Sequence, residues 1–254
     1  MTNIIAISNE KGGVAKTTTS VSLAGALSEL GKEILLVDLD PQANLTLALG
    51  ISPQKVRRSI ADILLNSAKP LSISRETTIP GLDLIPSNSE MGLAERFLPI
   101  RQNYKFLLQE ALAGIDVYDI IILDCPPSLG VITQNALIAA DLMIIPTQAE
   151  YFSTYALKNV MGAIQSIRES DNPGLNYRIL ITMQDIRIRS HKTLTDQLRT
   201  TFDKAVFETV IQIDTKLRET TIAGLPITHY VPRSRGAQQY RALAQELTHY
   251  VKPE

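Results

Sequence analysis

Tryptophan is absent from this chain of 254 residues, cysteine occurs once, and aromatic side chains make up only 5% of it. The single cysteine, Cys125, excludes an intramolecular disulfide framework and agrees with a reducing compartment. It also excludes an iron–sulfur cluster bridged between two subunits, which takes two cysteines from each. The few aromatics do not interleave with basic residues, so there is no platform on which single-stranded bases would stack. Any nucleic-acid contact is therefore expected to be with duplex backbone. No apolar run approaches membrane-spanning length and no cleavable leader pattern precedes the first apolar run, so a cytoplasmic protein is expected. His191, His229 and His249 are scattered without the spacing of a zinc site. A net charge of −1 provides no overall attraction for a polyanion.

What is present is the composition of a soluble globular protein, 44% hydrophobic and 20% charged, at a length that suits one α/β domain. Short apolar runs at residues 4–7, 34–37, 82–85, 118–123, 142–145, 179–183 and 206–211 read as buried strands. The run at 142–145 is expected to end at Pro146. Between the runs lie helical patterns: an amphipathic one with Val21, Leu23, Leu27 and Leu30, a patch with core candidates Ile60, Ile63, Leu64 and Leu65, a start near Ser89, a longer periodic segment from Phe97 to Leu112, and a helix opening near Gln148 to Tyr151. This alternation predicts a doubly wound, mostly parallel sheet with helices on both faces.

Between the first strand and the first helix lies Asn9-Glu10-Lys11-Gly12-Gly13-Val14-Ala15-Lys16-Thr17-Thr18-Thr19. Glycines there let backbone N–H groups turn inward around phosphate oxygens, and the helix start adds its positive end. Lys16 is placed to reach β- and γ-phosphates, and the Thr17 hydroxyl to ligate Mg²⁺. The strict pattern G-x-x-x-x-G-K-[ST] fails, because Glu10 and Ala15 stand where its two glycines belong. An ordinary, negative φ is expected at Ala15, since the left-handed region costs a non-glycine residue about 1–2 kcal/mol.

Two further strands end in carboxylates. Ile34 to Val37 leads to Asp38-Leu39-Asp40-Pro41-Gln42, and Ile120 to Leu123 leads to Asp124-Cys125-Pro126-Pro127-Ser128. Ligands of open α/β sheets bind at the carboxyl ends of strands. Asp124 reads as the residue aimed at the metal's water shell, and of Asp38 and Asp40 one suits the metal through water and the other the attacking water. Cys125 has no positioned histidine and reads as a buried structural thiol.

The neutral total conceals an uneven distribution: residues 187–241 hold ten Lys/Arg and five Asp/Glu. Arg187, Lys192, Lys216, Arg233, Arg235 and Arg241 are the candidates for contact with DNA backbone.

The loop resembles the deviant Walker motif K-G-G-x-G-K-T-T of the ParA/MinD ATPases, apart from Ala15. Asp38-Leu39-Asp40-Pro41-Gln42, Leu84-Ile85-Pro86-Ser87-Asn88, Leu123 to Ser128, and Pro232-Arg233-Ser234-Arg235-Gly236-Ala237 with Tyr240 extend the likeness to the small Soj-like ParA branch over nearly the whole chain. The resemblance implies a P-loop NTPase fold and a homodimer that sandwiches ATP and Mg²⁺, with Lys11 crossing to the partner's nucleotide. It further implies non-specific binding to double-stranded DNA and slow hydrolysis stimulated by a ParB-like or McdB-like adaptor, in a cytoplasmic, nucleoid-associated protein. Lys11, Lys16, Asp38 and Asp40 take the hydrolytic roles in that reading. Gly12, Gly13, Val14, Ala15, Lys16, Thr17 and Thr18 bind the phosphates, and Thr17, Asp38 and Asp124 serve the metal. Arg187, Lys216 and Arg235 match DNA-contacting positions. On the adenine side stand Met183, Ile211, Gln212 and Ile213, where Gln212-Ile213 replaces the family's Pro-Arg. Residues 1–254 are expected to form one ATPase domain, without the N-terminal helix-turn-helix domain of larger plasmid relatives.

Two other readings share the loop. A metabolic synthetase of the cobyrinate or dethiobiotin type needs an acceptor-substrate site, and no residues suggest one. A MinD-like membrane ATPase needs a basic amphipathic C-terminal helix, whereas Leu243 to Val251 is short and nearly uncharged before Lys252, so no membrane partner is expected.

Overall fold

The structure is a computed structural model and describes residues 2–251. Lys252 lies outside them. In chain order the elements are β1 (Asn3–Ile7), α1 (Lys16–Ser28), β2 (Ile34–Asp38), α2 (Asn44–Ala48), α3 (Ile60–Asn66), β3 (Arg75–Glu76), β4 (Leu82–Ile85), α4 (Met91–Phe97), α5 (Leu107–Leu112), β5 (Ile120–Asp124) and α6 (Val131–Ala139). They continue with β6 (Leu142–Gln148), α7 (Tyr151–Ser170), β7 (Asn176–Gln184), α8 (Arg189–Phe202), β8 (Val206–Gln212), α9 (Lys216–Ala223), α10 (Ile227–Tyr230) and α11 (Arg235–Leu247).

The eight strands form one sheet in the order β3-β4-β2-β5-β1-β6-β7-β8, parallel except for β3 against β4. Because side chains alternate along a strand, each buried strand feeds two cores. Ala6, Leu35, Val37, Ile121, Leu123, Met143 and Ile145 face a core completed by α3 to α8. Ile5, Ile7, Ile34, Leu36, Ile120, Ile122 and Ile144 face one completed by α1, α2, α10 and α11. This is the doubly wound sheet expected from the alternation of strands and helices.

Register decides where the chemistry can lie. Ile7 pairs with Asp124, and Asp124 with Asp38, so β1, β5 and β2 end level with one another. The glycine loop and both carboxylate turns therefore leave the same edge of the sheet, beside the crossing from β5 to β6 on either side of β1.

Three local expectations are corrected. Residues 19–27 of α1 are all buried, so the helix is not amphipathic: α10 and α11 cover the face that would meet water, and of Val21, Leu23, Leu27 and Leu30 only Leu30, past its end, is exposed. That approach needs Gly25, where a Cβ would lie 2.4 Å from Pro226 Cβ. The segment 97–112 is broken into 3₁₀ turns at Leu98–Ile100 and Tyr104–Phe106 before α5, with Pro99 inside the first and Asn103 at φ 57° before the second. Strand β6 runs through Pro146 to Gln148. Pairing with β1 stops at Ile144, and the Pro146 carbonyl faces that side to accept from Asn9 Nδ2 at 2.8 Å, so the missing N–H removes no ladder bond.

The outer edge of β8 is covered by its own chain. Glu246 of α11 accepts from the backbone N–H groups of Glu208 (2.7 Å) and Thr209 (2.9 Å), and Gln239 from that of Gln212 (2.9 Å). Leu243 and Leu247 of the same helix are fully buried, so its apolar face is spent on the sheet. Among the described residues no helix is long and apolar enough to cross a membrane.

Candidate nucleotide site

The loop from Ser8 to Ala15 curls over the end of β1 and delivers the chain into α1. It is held from three sides: Asn9 Nδ2 to Pro146 O, Gln148 Nε2 to Gly13 O at 3.2 Å, and Thr182 Oγ1 to Val14 O at 3.0 Å. Ala15 caps α1 in the left-handed region, φ 67° and ψ 34°, and not at the ordinary φ expected of it. The turn must reverse there to enter the helix, and the contacts on either side impose the conformation on an alanine. Gly13, with φ 73°, takes the other reversal.

Lys16 is 92% buried by the first turn of α1 (8% exposed), and its ammonium donates to Asn9 O at 3.0 Å and Lys11 O at 3.2 Å. Burial pushes its pKa down, against the nearby charges of Asp124 and Asp40. Thr17 Oγ1 donates to Asp124 Oδ2 at 2.8 Å, and Ser20 Oγ to Asp124 Oδ1 at 2.7 Å. Burial raises the Asp124 carboxyl to about 6 despite these bonds and Lys16. A hydroxyl and a carboxylate side by side are all-oxygen donors, which suits a hard cation such as Mg²⁺ that completes its shell with water and phosphate. Thr17 and Asp124 are thus the residues fitted to hold one.

Asp38 and Asp40, two residues apart, differ in setting. Asp40 lines a cavity of about 320 Å³ together with Gly12, Gly13, Ala15, Lys16, Thr17, Thr18, Asn44, Pro127, Thr220 and Thr221. Asp38 sits behind it, fully buried, with Oδ2 accepting from Thr46 N (2.8 Å) and Thr46 Oγ1 (2.7 Å). Burial and the neighbouring Asp124 raise its carboxyl to about 7. Cys125 is buried and its thiol is pushed well up by desolvation, which makes it inert as a nucleophile.

A second cavity of about 300 Å³ opens from the first, sharing Ala15, Thr18 and Thr221. Met183, Ile211, Gln212 and Ile213 line it, with Leu217, Arg218 and the fully buried Tyr240, whose hydroxyl meets Thr19 Oγ1 at 3.1 Å. The arrangement is a polar chamber that holds the Lys16 ammonium and continues into a more apolar one. On α9, Thr220 walls the first chamber, Leu217 the second and Thr221 both, and none of the three belongs to a motif. Val14 is buried beneath the loop and lines neither.

Lys11 Nζ lies 2.7 Å from Glu150 Oε2 and 3.1 Å from Gln148 Oε1. Of the six basic candidates, the structure brings Arg187 and Arg235 to one cavity of about 430 Å³ at the ends of β7 and β8, with Asp185, Asp214 and Ile213. Arg187 is 85% exposed and pairs with Asp185 in two bonds, 2.7 and 2.9 Å, while Arg235 donates to Ile213 O. Lys216 pairs with Glu219 at 3.0 Å on α9, and Lys192 and Arg233 are exposed. Arg241 lies apart from these, clasping Glu29 at 2.6 and 2.8 Å.

A family model described as an AAA domain matches residues 2–177. The sporulation initiation inhibitor protein Soj of Bacillus subtilis is 41% identical over 249 residues, 97% of this chain and 98% of its own. The chromosome partitioning protein ParA of Myxococcus xanthus is 39% identical over 96% of this chain and 87% of its own. Among solved structures, a cobyrinic acid a,c-diamide synthase from Mycobacterium smegmatis with a bound ATP analogue and magnesium superimposes with a TM-score of 0.87 at 34% identity, covering 98% of this chain and 96% of that one. The loop geometry, the carboxylates Asp38 and Asp124 that end level on β2 and β5, and these near full-length likenesses agree: the chain belongs to the ParA/MinD family of deviant Walker A ATPases, in its small Soj-like ParA branch.

Proposed function

We propose that this protein is a positioning ATPase that binds ATP with Mg²⁺, closes as a homodimer over two nucleotides, and grips the backbone of duplex DNA without regard to sequence. The observation that carries the reading is the chamber lined by Lys16, Thr17 and Asp40, with Asp124 held behind Thr17 at 2.8 Å, which opens into an apolar chamber of base size. In this reading Lys16 holds the β- and γ-phosphates and the first turn of α1 adds backbone N–H groups and its positive end. Thr17 and Asp124 would hold the ion, which would neutralise phosphate charge. Asp40 orients the attacking water, and Lys11 of each copy completes the other's phosphate site. Arg187 and Arg235, with Lys192, Lys216 and Arg233, meet DNA phosphates.

A ParB-like or McdB-like adaptor on the cargo stimulates a slow hydrolysis and so releases the dimer from the nucleoid. The cargo class is a plasmid, a chromosome or an organelle such as a carboxysome. The test is binding to unrelated duplexes of equal length with and without ATP. Binding is expected only with ATP, equal across sequences and steeply reduced by salt; failure to bind at low salt in every nucleotide state rejects the reading. The 34% identity to the Mycobacterium smegmatis synthase supports one alternative, amidation of an acidic acceptor. Acceleration of ATP turnover by cobyrinic acid, with DNA without effect, favours that alternative.

A further inference from the structure

The turn Pro86-Ser87-Asn88 follows β4 and contributes no group to either chamber, yet Ser87 is fully buried and close to the carboxylate turn after β2. Thr46, on α2, is also fully buried, and its hydroxyl is used twice. It donates to Asp38 Oδ2 at 2.7 Å and accepts from Ser87 N at 2.9 Å. Ser87 Oγ in turn donates to Asp40 O at 2.8 Å, a carbonyl that also accepts from Ala43 N at 2.9 Å. Asp40 N closes the circuit by donating to Asp38 Oδ1 at 3.2 Å. The ring runs from Asp38 through Thr46 and Ser87 to the backbone of Asp40 and back. The carboxylate of Asp40, which lines the phosphate chamber, projects from it.

We propose that Thr46 and Ser87 are positioning residues for ATP hydrolysis, bracing the turn that aims Asp40 at the phosphate chamber. The proposal rests on the reading of Asp40 as the residue that orients water. Phosphoryl transfer depends on placement more than on covalent chemistry, and a displacement of about 1 Å can cost about 100-fold in rate. Valine at position 46 has nearly the shape of threonine but neither donates nor accepts, so it leaves Ser87 N–H and Asp38 Oδ2 each short of a partner. Alanine at position 87 releases Asp40 O from its second donor. Neither Thr46 nor Ser87 lines either chamber, so ATP affinity is expected to stay.

Single-turnover hydrolysis of labelled ATP, ATP affinity and thermal midpoint are measured on the full chain for Thr46→Val, Thr46→Ser, Ser87→Ala and Asp40→Ala. Thr46→Val and Ser87→Ala are expected to lower the hydrolysis rate about 10- to 100-fold with ATP affinity within about twofold of the parent, and Thr46→Ser to recover most of the rate. Parent-like rates in Thr46→Val and Ser87→Ala, with Asp40→Ala inactive, overturn the proposal and leave the reading of Asp40 standing. Parent-like hydrolysis by Asp40→Ala removes that reading itself. Loss of ATP affinity in parallel with rate in both Thr46→Val and Ser87→Ala assigns these residues to the fold alone, which also overturns the proposal.

Discussion

Lys11 Nζ sits 2.7 Å from the carboxylate of Glu150, so the lysine that precedes the glycine pair is held by an acid of its own chain. Both side chains are partly exposed, 27% and 48%, and a pair in that setting contributes no more than about 1 kcal/mol. In the proposed dimer, the Glu150 pair therefore opposes only weakly the release of Lys11 toward a partner's phosphates. Lys11→Ala is expected to bind ATP within a few-fold of the parent by calorimetry and to lose ATP-dependent pairing; a large loss of affinity in the isolated subunit would place Lys11 in its own pocket instead.

Lys16→Ala should abolish measurable ATP binding. The ammonium is nearly buried and anchored to two loop carbonyls, so its removal takes away the phosphate ligand and the fastening of the loop together. A loss of at least about 100-fold in affinity is expected from equilibrium binding of a fluorescent ATP analogue. Undiminished affinity would detach the loop from phosphate recognition.

Ala15→Gly is expected to stabilise the protein. The left-handed region costs alanine about 1–2 kcal/mol, while glycine adds about 0.4–1 kcal/mol of unfolded-state entropy. A net gain of roughly 0–1.6 kcal/mol, centred near 0.8, in denaturant unfolding follows from those two magnitudes. A loss would mean that the loop relaxes to negative φ at this residue.

Arg187→Ala combined with Arg235→Ala should weaken DNA binding uniformly across sequences and reduce the slope of log K against log salt by about 2, one phosphate contact for each arginine. Arg241→Ala serves as the contrast: Arg241 is bound to Glu29 on the flank of α1, and its removal should leave the slope unchanged. Equal slopes in parent and double variant would put the DNA face elsewhere.

How much of this could be read beforehand follows from the range over which each signal acts. Ile34 to Asp38 and Ile120 to Asp124 are buried on both sheet faces, so they appear in the sequence as unbroken apolar runs ending in a carboxylate, and the loop is recognisable from residues within eleven positions of one another. The walls contributed by Leu217, Thr220 and Thr221 were not legible, because they meet the loop only after about 200 residues of intervening chain and carry no special chemistry. The burial of α1 on every face over residues 19–27 was hidden for the same reason: Pro226, Leu243 and Leu247 come from the far end of the chain. The φ at Ala15 departs from the local expectation because Gln148 and Thr182, distant in sequence, hold the carbonyls of Gly13 and Val14. Thr46 and Ser87 form their bonds across 41 residues and likewise left no mark on any local pattern.

Sedimentation velocity of the Asp40→Ala protein with Mg²⁺ and ATP tests the central claim most directly, because slowed hydrolysis leaves the ATP state populated. The account predicts a dimer with ATP, a monomer with ADP, and a monomer with ATP once Lys11→Ala is added. Monomers under all three conditions, with ATP bound at saturation, would contradict it.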